Sequence, residues 1–342
     1  MLPTSIPLDS LSSRLRGAFP QANVSDKDIA SLERDFAKRA ADLCAFAERQ
    51  QTLWRTRGRH GRPICDRVLG VTCSAHPSDT KLVQLHFCDQ GEVVETVELW
   101  RTHLEALKAL HRGQRQRAAA AAPVGSLDDQ LEAGLVHTRV LTMALRYDSL
   151  SGCKCAYQAA LPPPVMELLR SELGCAHECF ASPLNQHLGS FCSAFADTDR
   201  AFGSKGSFFD FRPCEGSFEC NPPFDSQSID ACLEHVLALL RASEQPLTFV
   251  VTVPSLDGTH SDKTGSAFRA LEAYKSAAVQ VHAKSHSYLM GLQHRRQTDG
   301  VYWNPEIPST AYVYQNAAGR RQWPVRETFG EQMRRAWDWR GK

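Results

Sequence analysis

The stretch Ser217-Phe218-Glu219-Cys220-Asn221-Pro222-Pro223-Phe224-Asp225 decides how this chain is read. Its first half, SFECN, has the apolar, β-favouring character of a strand. Its second half cannot continue one. Two consecutive prolines donate no backbone hydrogen bonds and hold φ near one value. They make a stiff corner before the helical pattern IDACLEHVLALLRAS at 229–243. Asn-Pro is common at turns, so a rigid loop closing a strand is one reading. The other rests on place. In open α/β sheets ligands bind beyond the carboxyl ends of strands, and the corner occupies such an end.

The surrounding pattern supports an α/β fold. From Ser126 onward, SLDDQLEAGLVHTRVLTMALRYDSL and VMELLRSELG read as helices, the second ending at Gly174. CAHECFAS (175–182) reads as a strand, SFFDF (207–211) as a short strand, and LTFVVTVP (247–254) as a buried one. GSAFRALEAYKSAA (265–278) reads as a helix. VQVHAKSHSYLM (279–290) and TAYVYQN (310–316) close the pattern as two strands with a long loop between them. Strands alternating with helices imply a mostly parallel sheet, and the final pair fits an antiparallel edge on it.

Before Ser126 the pattern differs. Ser25-Asp26-Lys27-Asp28 caps a helical run to Trp54. Residues 68–73, 81–88 and 92–99 alternate like strands, and a helix follows over about 98–112. Arg112 to Gly125 reads as a linker, although its alanines are able to extend the helix. These features predict a helix-rich first domain with a small strand region over 1–125, and an α/β domain over 126–342.

Bulk properties narrow the classes. The chain has 342 residues, 42% hydrophobic and 23% charged, as in ordinary globular proteins. With 39 Lys plus Arg against 38 Asp plus Glu, the net charge of +1 gives no general attraction to nucleic acid. Any such attraction must come from local clusters. The first residues hold no apolar core suited to a signal peptide, and no run suits a membrane span. The 12 scattered cysteines then fit a reducing compartment with free thiols. Cys153, Cys155, Cys175, His177 and Cys179 lack the usual zinc-ligand spacing, so no metal is expected. No nucleophile elbow, P-loop or zinc-protease pattern appears.

The chemistry of the corner suits methylation of an exocyclic amine. Adenine N6 is a poor nucleophile because its lone pair is delocalised into the ring. The enzyme must hold that amine in line with an electrophilic methyl group. The Asn221 side-chain oxygen and the Pro222 carbonyl are able to accept its two protons, and the Phe224 ring to stack on the base. The methyl donor needs its own supports. Ala181-Ser182-Pro183-Leu184-Asn185 follows the first strand and permits close backbone approach. Asp197 and Asp199 are candidates for the donor's ribose, and Asp210 for its adenine amine. Each Asp alone also reads as a turn or cap residue.

ECFASPLNQHLGSFCSAFADTDRAFGSKGSFFDF (178–211), EGSFECNPPFD (215–225) and PLTFVVTVP (246–254) together resemble the phosphorylated CTD-interacting factor family. The resemblance runs from about Leu145 to Val253, includes QAALP at 158–162, weakens after Pro254 and is faint before 125. It implies a cap-specific adenosine N6-methyltransferase acting on the 2′-O-methyladenosine beside the 7-methylguanosine cap of mRNA. It further implies a Rossmann-like domain dependent on S-adenosyl-L-methionine, with a helical N-terminal domain packed on it and capped RNA between them. Asn221, Pro222, Pro223 and Phe224 match the family's catalytic motif, and Ala181 to Asn185 its donor-binding loop. Asp210 corresponds to the donor-side acid of related amino-methyltransferases. Animal members carry a WW domain that binds phosphorylated polymerase tail. Such a module needs two tryptophans about twenty residues apart, and here the first tryptophan is Trp54 and the next is Trp100, while Trp337 and Trp339 are too close together. A member without that module, and without that partner, is therefore expected.

A cap presents phosphates and a cationic base, which call for Arg, Lys and aromatic rings. Arg55, Arg57, Arg59 and Arg62 form the densest basic stretch, and Arg112, Arg115 and Arg117 a second. Arg295 and Arg296 lie in the long closing loop, near Trp303. Each run also reads as a solvated surface. The Asn-Pro-Pro-aromatic corner is shared with DNA and other RNA adenine methyltransferases and with enzymes methylating a glutamine amide. A non-catalytic RNA-binding partner is a further alternative. Capped RNA as substrate, no membrane association, and a nuclear or cytoplasmic place of action are the expectations carried forward.

Overall fold

The computed structural model describes residues 70–89, 92–121, 129–150, 159–254, 264–291, 293–296 and 301–338. The helical run before Trp54 and the Arg55–Arg62 stretch lie outside these residues, as do Cys153 and Cys155.

A six-stranded sheet forms the centre. It comprises β4 (His177–Ala181), β5 (Phe191–Ser193), β6 (Gly216–Cys220), β7 (Leu247–Pro254), β8 (Lys275–Val281) and β11 (Ser309–Gln315). Their spatial order is β5-β4-β6-β7-β11-β8. β5, β4, β6 and β7 pair in parallel, and β11 pairs antiparallel with both β7 and β8. Five strands therefore point one way and β11 alone runs back. The antiparallel strand expected at the edge lies one position inside it, and β8 is the edge.

Period-2 alternation sends side chains of β7 to both faces. Phe249, Val251 and Val253 join one core, and Val250 joins the other. Burial on both sides explains why LTFVVTVP reads as an unbroken apolar run. The first core is covered by α5 (Ser226–Ala242), whose Ile229, Leu233, Val236 and Leu240 fall on one stripe, and by α6 (Thr264–Leu271). The second core is covered by α3 (Pro163–Leu173) and α8 (Phe329–Trp337). Full burial of each large apolar side chain contributes about 1.5–3 kcal/mol. The α3 helix begins with prolines, whose missing N–H costs nothing there, and stops at Gly174 in the left-handed region, φ 67°. A Cβ at Gly174 would stand 2.3 Å from Nε1 of Trp323, so only glycine fits this stop.

A second sheet of β1 (Val71–Ala75), β2 (Leu82–Asp89) and β3 (Glu92–Trp100) is antiparallel throughout. It is followed by α1 (Arg101–Ala121) and α2 (Asp129–Leu150). Arg112 to Ala121 is thus helix, not linker, because the alanines favour continuing α1. Val83, Leu85 and Leu99 of this sheet share one core with Leu104 of α1 and Val140 and Tyr147 of α2. Leu184 and Phe202, from loops of the central sheet, belong to the same core. The two sheets are joined through it.

Two other expectations differ. SFFDF is a 3-10 turn over Phe208–Asp210, with the Ser207 hydroxyl accepting from the Phe209 amide at 3.2 Å. The helix expected over 265–278 ends at Leu271, and β8 begins at Lys275. Short pairs β9 (Tyr288–Leu289) and β10 (Tyr302–Trp303) occupy the long closing connection. The helices α4 (Ala196–Asp199) and α7 (Ala317–Gln322) complete the described elements. No helix among the described residues is long and apolar enough to cross a membrane.

Candidate active site

From β4 the chain passes to β5 on one side, while β6 stands on the other and leads on to β7. Such a reversal opens a crevice beyond the carboxyl ends of the two central strands. A cavity of about 460 Å³ lies there. Ala181, Ser182 and Asn185 line it from the loop after β4, and Asn221, Pro223 and Asp225 from the corner after β6. The loop and the corner singled out in the sequence therefore meet in one place.

Asn221 is the most constrained group in this cavity. It is buried, and its Nδ2 donates to the Ala159 carbonyl at 2.7 Å. Ala160 in turn exchanges backbone hydrogen bonds with Leu289, at 3.0 and 2.8 Å, so the carbonyl that orients Asn221 is itself held. That bond settles which end of the amide is the acceptor. Oδ1 is left buried with no partner among the described residues. A buried acceptor without a donor is costly unless a ligand supplies one. The corner is locked at its far end by Asp225, which caps α5 by accepting from the Ser228 amide at 2.9 Å.

The loop after β4 is stiff in its own way. The Asn185 side-chain oxygen accepts from the Ser182 amide at 2.8 Å and from the Ser182 hydroxyl at 2.9 Å. Pro183 and Leu184 turn away from the cavity, and Leu184 is core. Of the five expected loop residues, Ala181, Ser182 and Asn185 are the ones facing it.

The three acids take different places from those expected. None of Asp197, Asp199 and Asp210 lines the cavity. Asp197 pairs with Arg146 of α2 at 2.5 Å. Asp199 is fully buried and accepts from the Tyr147 hydroxyl at 2.6 Å and from Thr198 at 2.9 Å. Burial pushes its carboxyl up, against the hydrogen bonds from Tyr147, Ser193 and Thr198. Tyr147 and Ser193 do line the cavity, so Asp199 acts at one remove, behind them. Asp210 is exposed, while its neighbours Ser207, Phe208 and Phe209 face the cavity. Phe209 stays 37% exposed at the cavity wall, in edge contact with Phe180 at 5.8 Å.

The aromatic ring of the corner is also placed differently. Phe224 is half-buried and meets Tyr288 edge-on at 5.5 Å and Trp303 at 6.5 Å. Trp303 thus stands beside the corner, as part of an aromatic cluster. Arg295 and Arg296 do not. Arg295 pairs with Asp148 of α2, and Arg296 with Asp79 before β2. The Arg295 carbonyl accepts from the Trp100 indole at 2.9 Å. This loop ties the closing connection to the smaller sheet. In the second basic run, Arg115 pairs with Glu132 at 3.0 Å, and Arg117 donates to Gln114. Cys175 contacts Ser217 at 3.2 Å, and His177 is shared between Ser190 and Cys192.

Reading the sequence by segments missed Tyr147, Ala159, Ser193 and Phe209. Ala159 lies 62 residues before the side chain it orients, and no spacing rule links the two. The QAALP stretch at 158–162 carried that signal only as part of a resemblance.

Comparison with known proteins finds a family and relatives similar to this chain. The profile of the family described as phosphorylated CTD interacting factor 1 WW domain matches residues 107–291. That description stands against the expectation of a member without such a module. The matched span itself contains no tryptophan, so what aligns is the region from α1 to β9. A mouse and a human protein, each named mRNA (2′-O-methyladenosine-N(6)-)-methyltransferase, are 35% identical over 190 residues. Those residues are 54% of this chain, and 26% and 27% of the mouse and human proteins. The chain aligns with about a quarter of the length of these relatives.

Proposed function

The chain belongs to the phosphorylated CTD-interacting factor family, and from that membership and the geometry of Asn221 we propose that it methylates N6 of the adenosine beside the cap of mRNA. The observation that carries the reading is the buried, unpartnered Oδ1 of Asn221, facing a cavity large enough for a donor and a base. An amine proton is the donor that this oxygen lacks. The amide cannot roll to satisfy itself, because Nδ2 is engaged by Ala159. The group is therefore set before substrate arrives, which is what an electrostatic contribution to catalysis requires.

The cofactor in this reading is S-adenosyl-L-methionine. When bound, it supplies an electrophilic methyl group on a positively charged sulfur. The residues fit such a molecule: Phe180 and Phe209 offer ring surface, and Tyr147, Ser182, Asn185 and Ser193 offer polar atoms around a largely apolar cavity. Asp199 holds the Tyr147 hydroxyl in place. On the substrate side, Oδ1 of Asn221 accepts one amine proton, and the Pro222 carbonyl is assigned the other. Holding both protons draws the nitrogen lone pair out of conjugation and aims it. No strong base among these residues is required, since the proton leaves after the nitrogen has become positive. We read the central sheet as a Rossmann-like methyltransferase domain, a reading supported by its strand order and by the site at the reversal between β4 and β6. Action in the nucleus or cytoplasm follows from the same substrate.

The test uses radiolabelled S-adenosyl-L-methionine with RNA that carries a cap and begins with 2′-O-methyladenosine. Label recovered in N6-methylated 2′-O-methyladenosine is the expected result. Label in glutamine of a protein substrate, with none in RNA, would refute the reading.

A further inference from the structure

The loop after β4 brings Ser182 and Asn185 to the cavity, and its backbone amides can be followed one by one to their acceptors. The Leu184 amide donates to the Ser182 hydroxyl at 3.2 Å. The Asn185 and Gln186 amides donate to the Ser182 carbonyl at 3.2 and 3.0 Å. The Gly189 amide donates to the Gln186 side-chain oxygen at 2.8 Å. All of these acceptors belong to the loop itself. The amides of His187 and Leu188 reach outside it. Both donate to Oε1 of Glu178 on β4, each at 2.6 Å. The local bonds give the loop its shape, and the Glu178 bonds tie its far limb to the sheet.

A carboxylate is a demanding group to bury at this point. Glu178 is 4% exposed, and it stands in register with Glu219 of β6, which is buried too. Among the described residues no Lys or Arg pairs with either carboxyl, and the ring of His187 pairs with Glu167 of α3 instead. An unpaired buried charge is costly, so one that is kept needs donors. Burial pushes both carboxyls up. The Leu188 and His187 amides oppose that rise at Glu178, whereas at Glu219 the neighbouring Glu178 adds to it. Oε1 of Glu219 has no donor. The charge of the pair therefore belongs on Glu178, where two amides converge on one oxygen. Hydrogen bonds to an ionised acceptor are short and about twice as strong as neutral ones. Glu178 itself does not line the cavity, so it touches nothing bound there.

We propose that Glu178 is a positioning residue for methyl transfer: its carboxylate draws residues 187–188 onto the sheet and so holds Ser182 and Asn185 in the cavity wall where the donor binds. It acts through the loop and not on the reacting atoms. Its loss then loosens the donor site before the donor arrives, and leaves the chemistry of a bound donor unchanged. The proposal rests on the reading of this cavity as the donor site.

Three variants of the full chain test it. Glu178→Gln keeps the reach and loses the charge. Glu178→Asp keeps the charge and falls one carbon–carbon bond short, about 1.5 Å. Glu219→Gln removes the neighbouring acid and leaves the loop its acceptor. By calorimetry, S-adenosylhomocysteine is expected to bind about three- to tenfold more weakly to Glu178→Gln and about tenfold or more weakly to Glu178→Asp. Glu219→Gln should stay within about twofold of the unaltered protein. Hydrogen exchange in the 183–190 segment is expected to quicken in both Glu178 variants, with β4 and β6 unchanged. The KM for S-adenosyl-L-methionine should rise in step with the lost affinity, while kcat at saturating donor stays within about twofold, a split that a simple loss of folded protein would not produce. Unchanged S-adenosylhomocysteine affinity in both Glu178 variants overturns the proposal. So does an equal loss in Glu219→Gln, or a fall in kcat with the donor KM unmoved. If Glu178→Asp does not fold, Glu178→Gln decides by the same criteria. Absence of S-adenosylhomocysteine binding in the unaltered protein overturns the donor reading and the proposal with it, whereas binding that persists undiminished in the variants overturns the proposal alone.

Discussion

Asn221 matters for the way its amide is held as much as for the atoms it presents. Its oxygen is aimed because its nitrogen is spent on Ala159. Asn221→Ala removes one fixed acceptor, and turnover is expected to fall by about a hundredfold or more, as for the loss of one preorganised transition-state hydrogen bond. S-adenosylhomocysteine affinity, measured by calorimetry on the same protein, should change little, since the proposed role of the side chain is toward the substrate amine. Near-normal turnover in that variant would refute the amine-holding role. Tyr147 is the second residue of interest, because it carries the effect of an acid that never reaches the cavity. Tyr147→Phe strips Asp199 of its 2.6 Å donor and leaves a buried acceptor under-satisfied. A loss of about 1–3 kcal/mol in unfolding free energy is expected by urea titration. Donor binding should weaken with it, since Tyr147 is part of the cavity wall.

Helix α2 is where the parts of the molecule are tied together. Arg146 reaches Asp197, Tyr147 reaches Asp199, and Asp148 reaches Arg295. Burial is the main cause that pushes the Asp148 carboxyl up, to about 6, with Arg295 opposing it and Glu95 adding to it. An unfolded Asp titrates near ~3.9, so between about pH 4 and 6 the folded state holds a proton that the unfolded state has released. The stability this group contributes is full below about pH 4 and is lost as pH rises through 6, by up to about 3 kcal/mol. Urea midpoints measured from pH 4 to 7 should show that slope, and Asp148→Asn should flatten it. Arg295→Gln should carry the upper end of the slope beyond 6, because the opposing cation is gone. Elements with a strong local period were legible from sequence for a physical reason. β7 is buried on both faces, and α5 keeps one apolar stripe. Phe208 and Phe209 mimic a strand because two aromatic residues in a row look sheet-like, while the Ser207 cap turns them into a 3-10 turn. The start of β8 was hidden in an expected helix because an edge strand with Lys, Ser and Ala carries little β signature of its own, while its end, Val279–Val281, fell within the strand expected over 279–290, which the structure breaks at 282–287 before β9. The corner and the loop after β4 were legible because proline and strand ends act locally. Tyr147 and Ala159 were not, because only the folded chain brings them there.

At the scale of the whole molecule, two sheets share one core, and loops of the central sheet contribute Leu184 and Phe202 to it. A ligand in the cavity should therefore stabilise the fold globally. S-adenosylhomocysteine at about a hundred times its Kd is expected to add about 2.7 kcal/mol and to raise Tm, as a ligand bound only by the folded state does. No change in Tm at saturating ligand would count against a donor site. Specificity belongs to this scale too. A net charge of +1 gives no long-range pull on a duplex, and Arg295 and Arg296 are engaged within the protein. A short capped end, whose first adenosine has little stacking to lose, suits such a surface better than duplex DNA. The most direct measurement offers radiolabelled S-adenosyl-L-methionine together with capped RNA beginning in 2′-O-methyladenosine, the same RNA uncapped, and duplex DNA, followed by nucleoside analysis. Label confined to N6 of the cap-adjacent adenosine is the predicted result, and equal labelling of capped and uncapped RNA, or preferential labelling of the duplex, would contradict it.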